Sequence, residues 1–128
     1  MLPILALYLL CSCISAMAEI HVDDILVSKS GPQFNIRLNL SNIGEVPVKG
    51  PITAKLFIQG KYQQEWYPLK EWRNIPGLPP GSKSSRDFFI SETENAALSD
   101  GFVLKAVVES SDGERTEGLR SFGPGMWK

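Results

Sequence analysis

Four aromatic side chains, Tyr62, Trp66, Tyr67 and Trp72, fall within eleven residues and are interleaved with Gln63, Gln64, Glu65, Lys70, Glu71 and Arg73. Tyrosine and tryptophan join a broad apolar ring to a hydrogen-bonding edge. A cluster of them therefore suits protein interfaces and stacking against sugar rings. Trp127, released behind Gly123-Pro124-Gly125, is a fifth side chain of this kind. These five are the candidate partner-binding residues.

Other chemistry is sparse. The chain has one histidine, His21, with Asp23 and Asp24 close by. Zinc needs three or four convergent ligands, and no further ligand has the spacing, so His21 reads more simply as a solvated residue at the start of a strand. A Ser/His/Asp set would have to be built on that same histidine near the start of the mature chain. Asp23-Asp24 and Asp112-x-Glu114 are the best calcium candidates, but neither supplies six to eight oxygens. No phosphate-cradling glycine loop is present, and no pair of acids marks a glycosidase cleft. Asn39-Leu40-Ser41 is a formal glycosylation sequon, read here as chance. The expectation is a non-enzymatic protein with no catalytic residue, no cofactor and no metal site.

The only two cysteines, Cys11 and Cys13, lie in the apolar N-terminal segment. Leu2–Leu10 and its small-residue continuation read as a secretory signal, and Ala16-Met17-Ala18 as its cleavage site. Cutting after Ala18 leaves 128 − 18 = 110 residues without cysteine. That excludes thiol catalysis and a disulfide scaffold, and calls for a domain held by its own core. A second reading takes Leu10-Cys11-Ser12-Cys13 as a lipobox, with Cys13 lipidated and the chain tied to a membrane, and a third leaves the segment uncleaved as a membrane anchor. In each case the expected location is outside the cytoplasm: periplasm, cell surface or extracellular. The net charge of −1, with both signs interspersed, gives no electrostatic reason to expect nucleic acid as partner.

Strands and turns position these groups. Ile20–Val27 reads as a first, edge strand. Phe34, Ile36, Leu38 and Leu40 alternate with Asn35, Arg37 and Asn39, which puts the apolar chains on one face. Ile52, Ala54, Leu56 and Ile58 share a face opposite Thr53, Lys55 and Phe57. Gly60-Lys61 predicts a two-residue hairpin turn, and Tyr62–Trp66 the returning strand, ended or confined to an edge by Pro68. Gly44 is a natural site for positive φ. Ile75–Gly81 is a rigid Pro/Gly connection, Asp87–Ile90 a short strand, and Glu92–Leu98 one helical turn. Phe102–Glu109 and Arg115–Phe122 pair across Asp112-Gly113, the preferred pair for a type I′ turn. About seven short strands with turn signals every 8–12 residues predict an all-β, immunoglobulin-like antiparallel sandwich over residues 19–122, with 123–128 as a tail. Such sandwiches bury a tryptophan, so Trp66 or Trp72 also has a core reading.

The segments Phe34–Ser41, Asn42-Ile43-Gly44, Ala54–Gly60 and Ile75-Pro76-Gly77-Leu78-Pro79-Pro80-Gly81 together resemble the CARDB family, immunoglobulin-like domains of bacterial and archaeal surface proteins. The likeness covers roughly residues 22–118. Tyr62–Arg73 departs from it in being longer and more aromatic. The resemblance implies a cell-surface setting and adhesion or accessory roles. The functional expectation is an exported binding domain with a protein partner. The alternatives are a structural envelope or appendage subunit, and a carbohydrate-binding module.

Overall fold

The alternating segments become extended chains whose apolar sides meet. The computed structural model describes residues 17–94 and 97–123. Residues 1–16, with Cys11 and Cys13 and most of the expected signal, and residues 124–128, with Trp127, lie outside the described residues. Strands β1 (Ile20–Ser30), β2 (Gln33–Asn42), β3 (Ile52–Gly60), β4 (Tyr67–Ile75), β5 (Lys83–Ser91), β6 (Phe102–Glu109) and β7 (Arg115–Phe122) follow in order, with a four-residue helix α1 (Ala97–Asp100) before β6. They build a three-stranded sheet, β1-β2-β5, and a four-stranded sheet, β4-β3-β6-β7, both antiparallel. This is an all-β immunoglobulin-like sandwich.

The core lies between the sheets. Phe34, Ile36, Leu38 and Leu40 of β2 face Ile52, Ala54, Leu56 and Ile58 of β3 and Phe102, Leu104, Ala106 and Val108 of β6, all buried. Burying each of the larger side chains contributes about 1.5–3 kcal/mol. Leu98 of α1 is also fully buried in this cluster.

β1 lacks clean alternation for a local reason. Its register against β2 shifts between Val22 and Asp24, leaving Asp23 as the extra residue of a bulge. Inward positions are therefore even before the bulge, at Ile20 and Val22, and odd after it, at Ile25 and Val27. β1 is an edge strand, and it packs along β7: Arg120 Nη2 lies 2.7 Å from Asp24 Oδ1, and Glu114 Oε1 accepts the Ile20 N–H at 3.2 Å.

At the far end of β2 the chain crosses between sheets twice, through residues 43–51 and 76–82. Val48 and Leu78 join the two crossings by reciprocal backbone hydrogen bonds of 2.8 and 3.0 Å. Asn42, fully buried, binds both. Its Nδ2 donates to the Val46 carbonyl at 2.8 Å and the Leu78 carbonyl at 3.0 Å, and its Oδ1 accepts from Gly44 N–H at 2.9 Å and Glu19 N–H at 3.2 Å. Its backbone N–H and carbonyl bond Ser82 and Gly81. An amide is the side chain that offers two donors and two acceptors at one buried point.

The structure revises several local expectations. The returning strand begins at Tyr67, not Tyr62, and Pro68 lies inside it. β4 is an edge, so the missing N–H of Pro68 costs no ladder bond. Gly60 is the first residue of its turn rather than a central one: the Gln63 N–H reaches its carbonyl, and a six-residue connection, 61–66, follows. The Asp112-Gly113 turn is not type I′. No non-glycine residue in the described chain has positive φ, so Asp112 does not adopt it. The Ser110 carbonyl accepts from Gly113 N–H, and Gly113 alone has φ of 89°, giving a type I turn closed by a left-handed glycine. β5 extends back to Lys83 because Ser84 and Arg86 take its inward positions, where no apolar residue signals a strand.

Two outcomes follow. Asn42→Asp turns a buried carboxylate toward the Val46 and Leu78 carbonyls, and is expected to cost about 3 kcal/mol or more in urea denaturation. At the β6–β7 turn, the Ser110 hydroxyl donates to Asp112, and this bond holds the Asp112 carboxyl below the usual carboxylate range. A lowered folded value means that stability is present above that range and is lost on acidification. Asp112→Asn should therefore be less stable than the parent near neutrality. The gap in urea midpoint should close as pH falls below about 4.

Candidate functional site

The aromatic segment connects β3 to β4 at the end of the sandwich opposite Asn42. Its loop is tied down by side-chain amides: Gln63 Oε1 accepts the Gly60 N–H at 2.9 Å, and Gln59 Nε2 donates to the Gln64 carbonyl at 2.9 Å. Lys61 N–H reaches the Gly101 carbonyl at 3.2 Å, joining the loop to the start of β6. A loop held this way can present aromatic groups without a large ordering cost on binding.

Within this frame the aromatic residues separate. Tyr62, at the loop tip, is 81% exposed, with Lys61 Nζ 5.5 Å from its ring centroid. Tyr67 opens β4 and is 44% exposed. Trp66 is half-buried on the outer face of the four-stranded sheet, its ring 4.5 Å from Lys105 Nζ. The same ammonium lies 5.4 Å from the Phe57 ring. Trp72 instead sits opposite Ala54 and packs against the core. The structure thus brings Tyr62, Trp66 and Tyr67 to one end and commits Trp72 to the sandwich.

The outer sheet face continues this surface. Strand pairing sets Phe57, Lys105 and Leu119 in one row across β3, β6 and β7, flanked by Val103 and Val107. Leu119 is 63% exposed. A shallow depression of about 680 Å³ lies on this face over Thr53, Lys55, Phe57, Lys105 and Val107. At its β4 rim, Glu71 accepts from Arg73 and lies 3.7 Å from Lys55 Nζ. Arg73, and then Lys55, hold the Glu71 carboxyl below the usual carboxylate range. The face is therefore mixed: Lys105 sits at its centre between Phe57 and Leu119, with Val103 and Val107 beside it and Lys55 and Glu71 toward β4. Phe57, Val103, Val107 and Leu119 were not among the sequence candidates. Their signal was apolar residues at outward positions, where alternation calls for polar ones.

The acidic candidates have protein partners. Asp23 accepts the Ser41 hydroxyl at 2.7 Å, with His21 Nε2 3.8 Å away. That hydroxyl is directed at a carboxylate and not at the imidazole, and Ser41 is buried. Asp24 pairs with Arg120, Asp112 accepts from Ser110, and Glu114 accepts from Ile20. Among the described residues no group of three or more His, Cys, Asp or Glu side chains converges on a metal-sized site. Asn39 lies on the outer face of the three-stranded sheet and accepts the Ser85 hydroxyl at 2.5 Å. That face also carries exposed Leu26 and Phe89, on either side of the Arg37–Asp87 ion pair.

No protein-family model matches the chain, and no curated protein matches it in sequence. Solved structures do match in fold. OgpA from Akkermansia muciniphila is 18% identical, with a TM-score of 0.56 over 86% of this chain. The match spans 28% of OgpA's length. The archaellum periplasmic stator protein FlaG from Sulfolobus acidocaldarius is 12% identical, with a TM-score of 0.50 over 81% of this chain and 100% of that one. In the complex of FlaF and FlaG from the same organism, the match is 15% identical with a TM-score of 0.55, covering 81% of this chain and 90% of that chain. At these identities the likeness is one of fold, and the fold is the immunoglobulin-like β-sandwich.

Proposed function

We propose that this chain is a non-enzymatic, exported binding domain of the cell envelope or surface that recognises a protein partner. The observation that carries the reading is that Trp66 of the aromatic loop meets, through Lys105, the outer row of Phe57 and Leu119 flanked by Val103 and Val107, while Tyr62 and Tyr67 stand exposed at the same end. Aromatic anchors beside apolar side chains suit a protein interface, and Lys105 at the centre of the row offers one charge for a partner to meet. The CARDB-like motif order and the apolar leader support the surface setting.

A second reading has its own support. The fold match to FlaG spans that whole stator protein, and FlaG is found in complex with FlaF. A structural subunit of an envelope assembly would use the same outer face for a permanent contact.

The test is affinity capture from envelope extract with the purified domain as bait. Replacing Tyr62, Trp66 and Tyr67 together with Ala should abolish capture of a stoichiometric protein, while stability changes by no more than about 1 kcal/mol. Leu26→Ala with Phe89→Ala, on the other sheet, should leave capture intact. Equal capture by both variants would overturn the assignment of the surface. No protein partner for a folded bait, with tryptophan quenching by oligosaccharides instead, would replace it with a glycan module.

A further inference from the structure

The residues ahead of β1 are part of the fold. The Met17 carbonyl accepts the Glu45 N–H at 2.8 Å, and the Glu19 carbonyl accepts the Ile43 N–H at 2.9 Å. The Glu19 N–H donates to Asn42 Oδ1 at 3.2 Å. Residues 17–19 thus form a strap that extends the β1–β2 ladder past Ile20 and lies along residues 43–45. Gly44 lies directly under it. A methyl group at Gly44 would overlap the Met17 carbonyl oxygen and come within 2.6 Å of the Glu19 nitrogen and 2.9 Å of the Ala18 carbonyl carbon. Gly44 does not have positive φ, so backbone freedom does not account for the glycine. The close approach of the strap does, and the sequence expectation of a positive φ there is replaced by this contact.

The strap bears on how the leader is removed. Hydrolysis of the peptide bond after Ala18 would discard Met17 and Ala18, take away the acceptor of the Glu45 N–H and empty the notch over Gly44. A cut ahead of Cys13 would keep all of these. Building on the reading of this chain as exported, we propose that processing falls upstream of Met17, so that Met17 and Ala18 stay on the mature domain and close its β1–β2 end. The occupant of the Gly44 notch is this chain's own strap.

Two measurements test this. Intact mass and the N-terminal peptide of the protein isolated from its own cells should show a chain that retains Met17, whether it begins at a lipid-modified Cys13 or at another upstream residue. A start at Glu19 or Ile20 would overturn the proposal and leave export standing. An unprocessed chain starting at Met1 would overturn the proposal, and export with it if that chain is recovered from the cytoplasm. Independently, Gly44→Ala in a chain beginning at Met17 should lower the folding equilibrium constant roughly ten-fold or more, by urea denaturation. In a chain beginning at Ile20 most of that loss should vanish, because all three colliding groups, on Met17, Ala18 and Glu19, are gone. The same loss in both chains would contradict a seated strap.

Discussion

A single buried amide organises one end of this molecule. Asn42 ends β2 where the chain must leave one sheet for the other, and where a later segment must return. Those two crossings carry backbone groups that neither sheet's ladder can satisfy. Both donors and both acceptor positions of the Asn42 side chain are used, on Val46, Leu78, Gly44 and Glu19. Burial makes each of these bonds stronger than in water and makes any one left unmade costly. Aspartate lacks the donors, and leucine would take away the side-chain partner of the Val46 carbonyl and of the Gly44 and Glu19 N–H groups. The Val48–Leu78 bridge, the N-terminal strap and the ends of β1 and β2 all follow from that one placement.

The two ends of the sandwich are built differently. The β6–β7 turn joins the Asn42 end, with the Ser111 N–H near the Lys49 carbonyl and Glu114 reaching Ile20. The opposite end carries the 61–66 loop, α1 and the start of β6. There the loop is held by Gln59, Gln63 and Lys61, so its aromatic groups stand on a rigid base. Lys105 links loop and sheet: its ammonium is held between the rings of Trp66 and Phe57. Such contacts contribute about 0.5–1 kcal/mol at exposed sites, enough to favour one loop position over its alternatives.

Much of the fold was legible because the core obeys alternation. Phe34–Leu40, Ile52–Ile58 and Phe102–Val108 each declare an inward face, and all three faces meet in the core. What was hidden had specific causes. The β1 bulge at Asp23 breaks the parity that alternation relies on. β5 hides its first half behind Ser84 and Arg86, and β4 starts after a loop whose aromatic content imitates a strand. The aromatic arm itself was legible as a cluster, but periodicity does not reach into a loop. Sequence therefore left Trp66 and Trp72 undivided, and pairing of β4 with β3 divides them. The outer row became a site only when β3, β6 and β7 were laid side by side, since no single strand carries it.

The central claim is that partners meet this domain at its aromatic end and not on its other sheet. Site-specific photocrosslinking in the cells that make it tests this most directly, with a benzophenone side chain in place of Tyr62 and, as reference, in place of Leu26. The account predicts one dominant protein adduct from residue 62 and none from residue 26. Adducts of the same pattern from both positions, or none from residue 62 in a folded and exported chain, would contradict it.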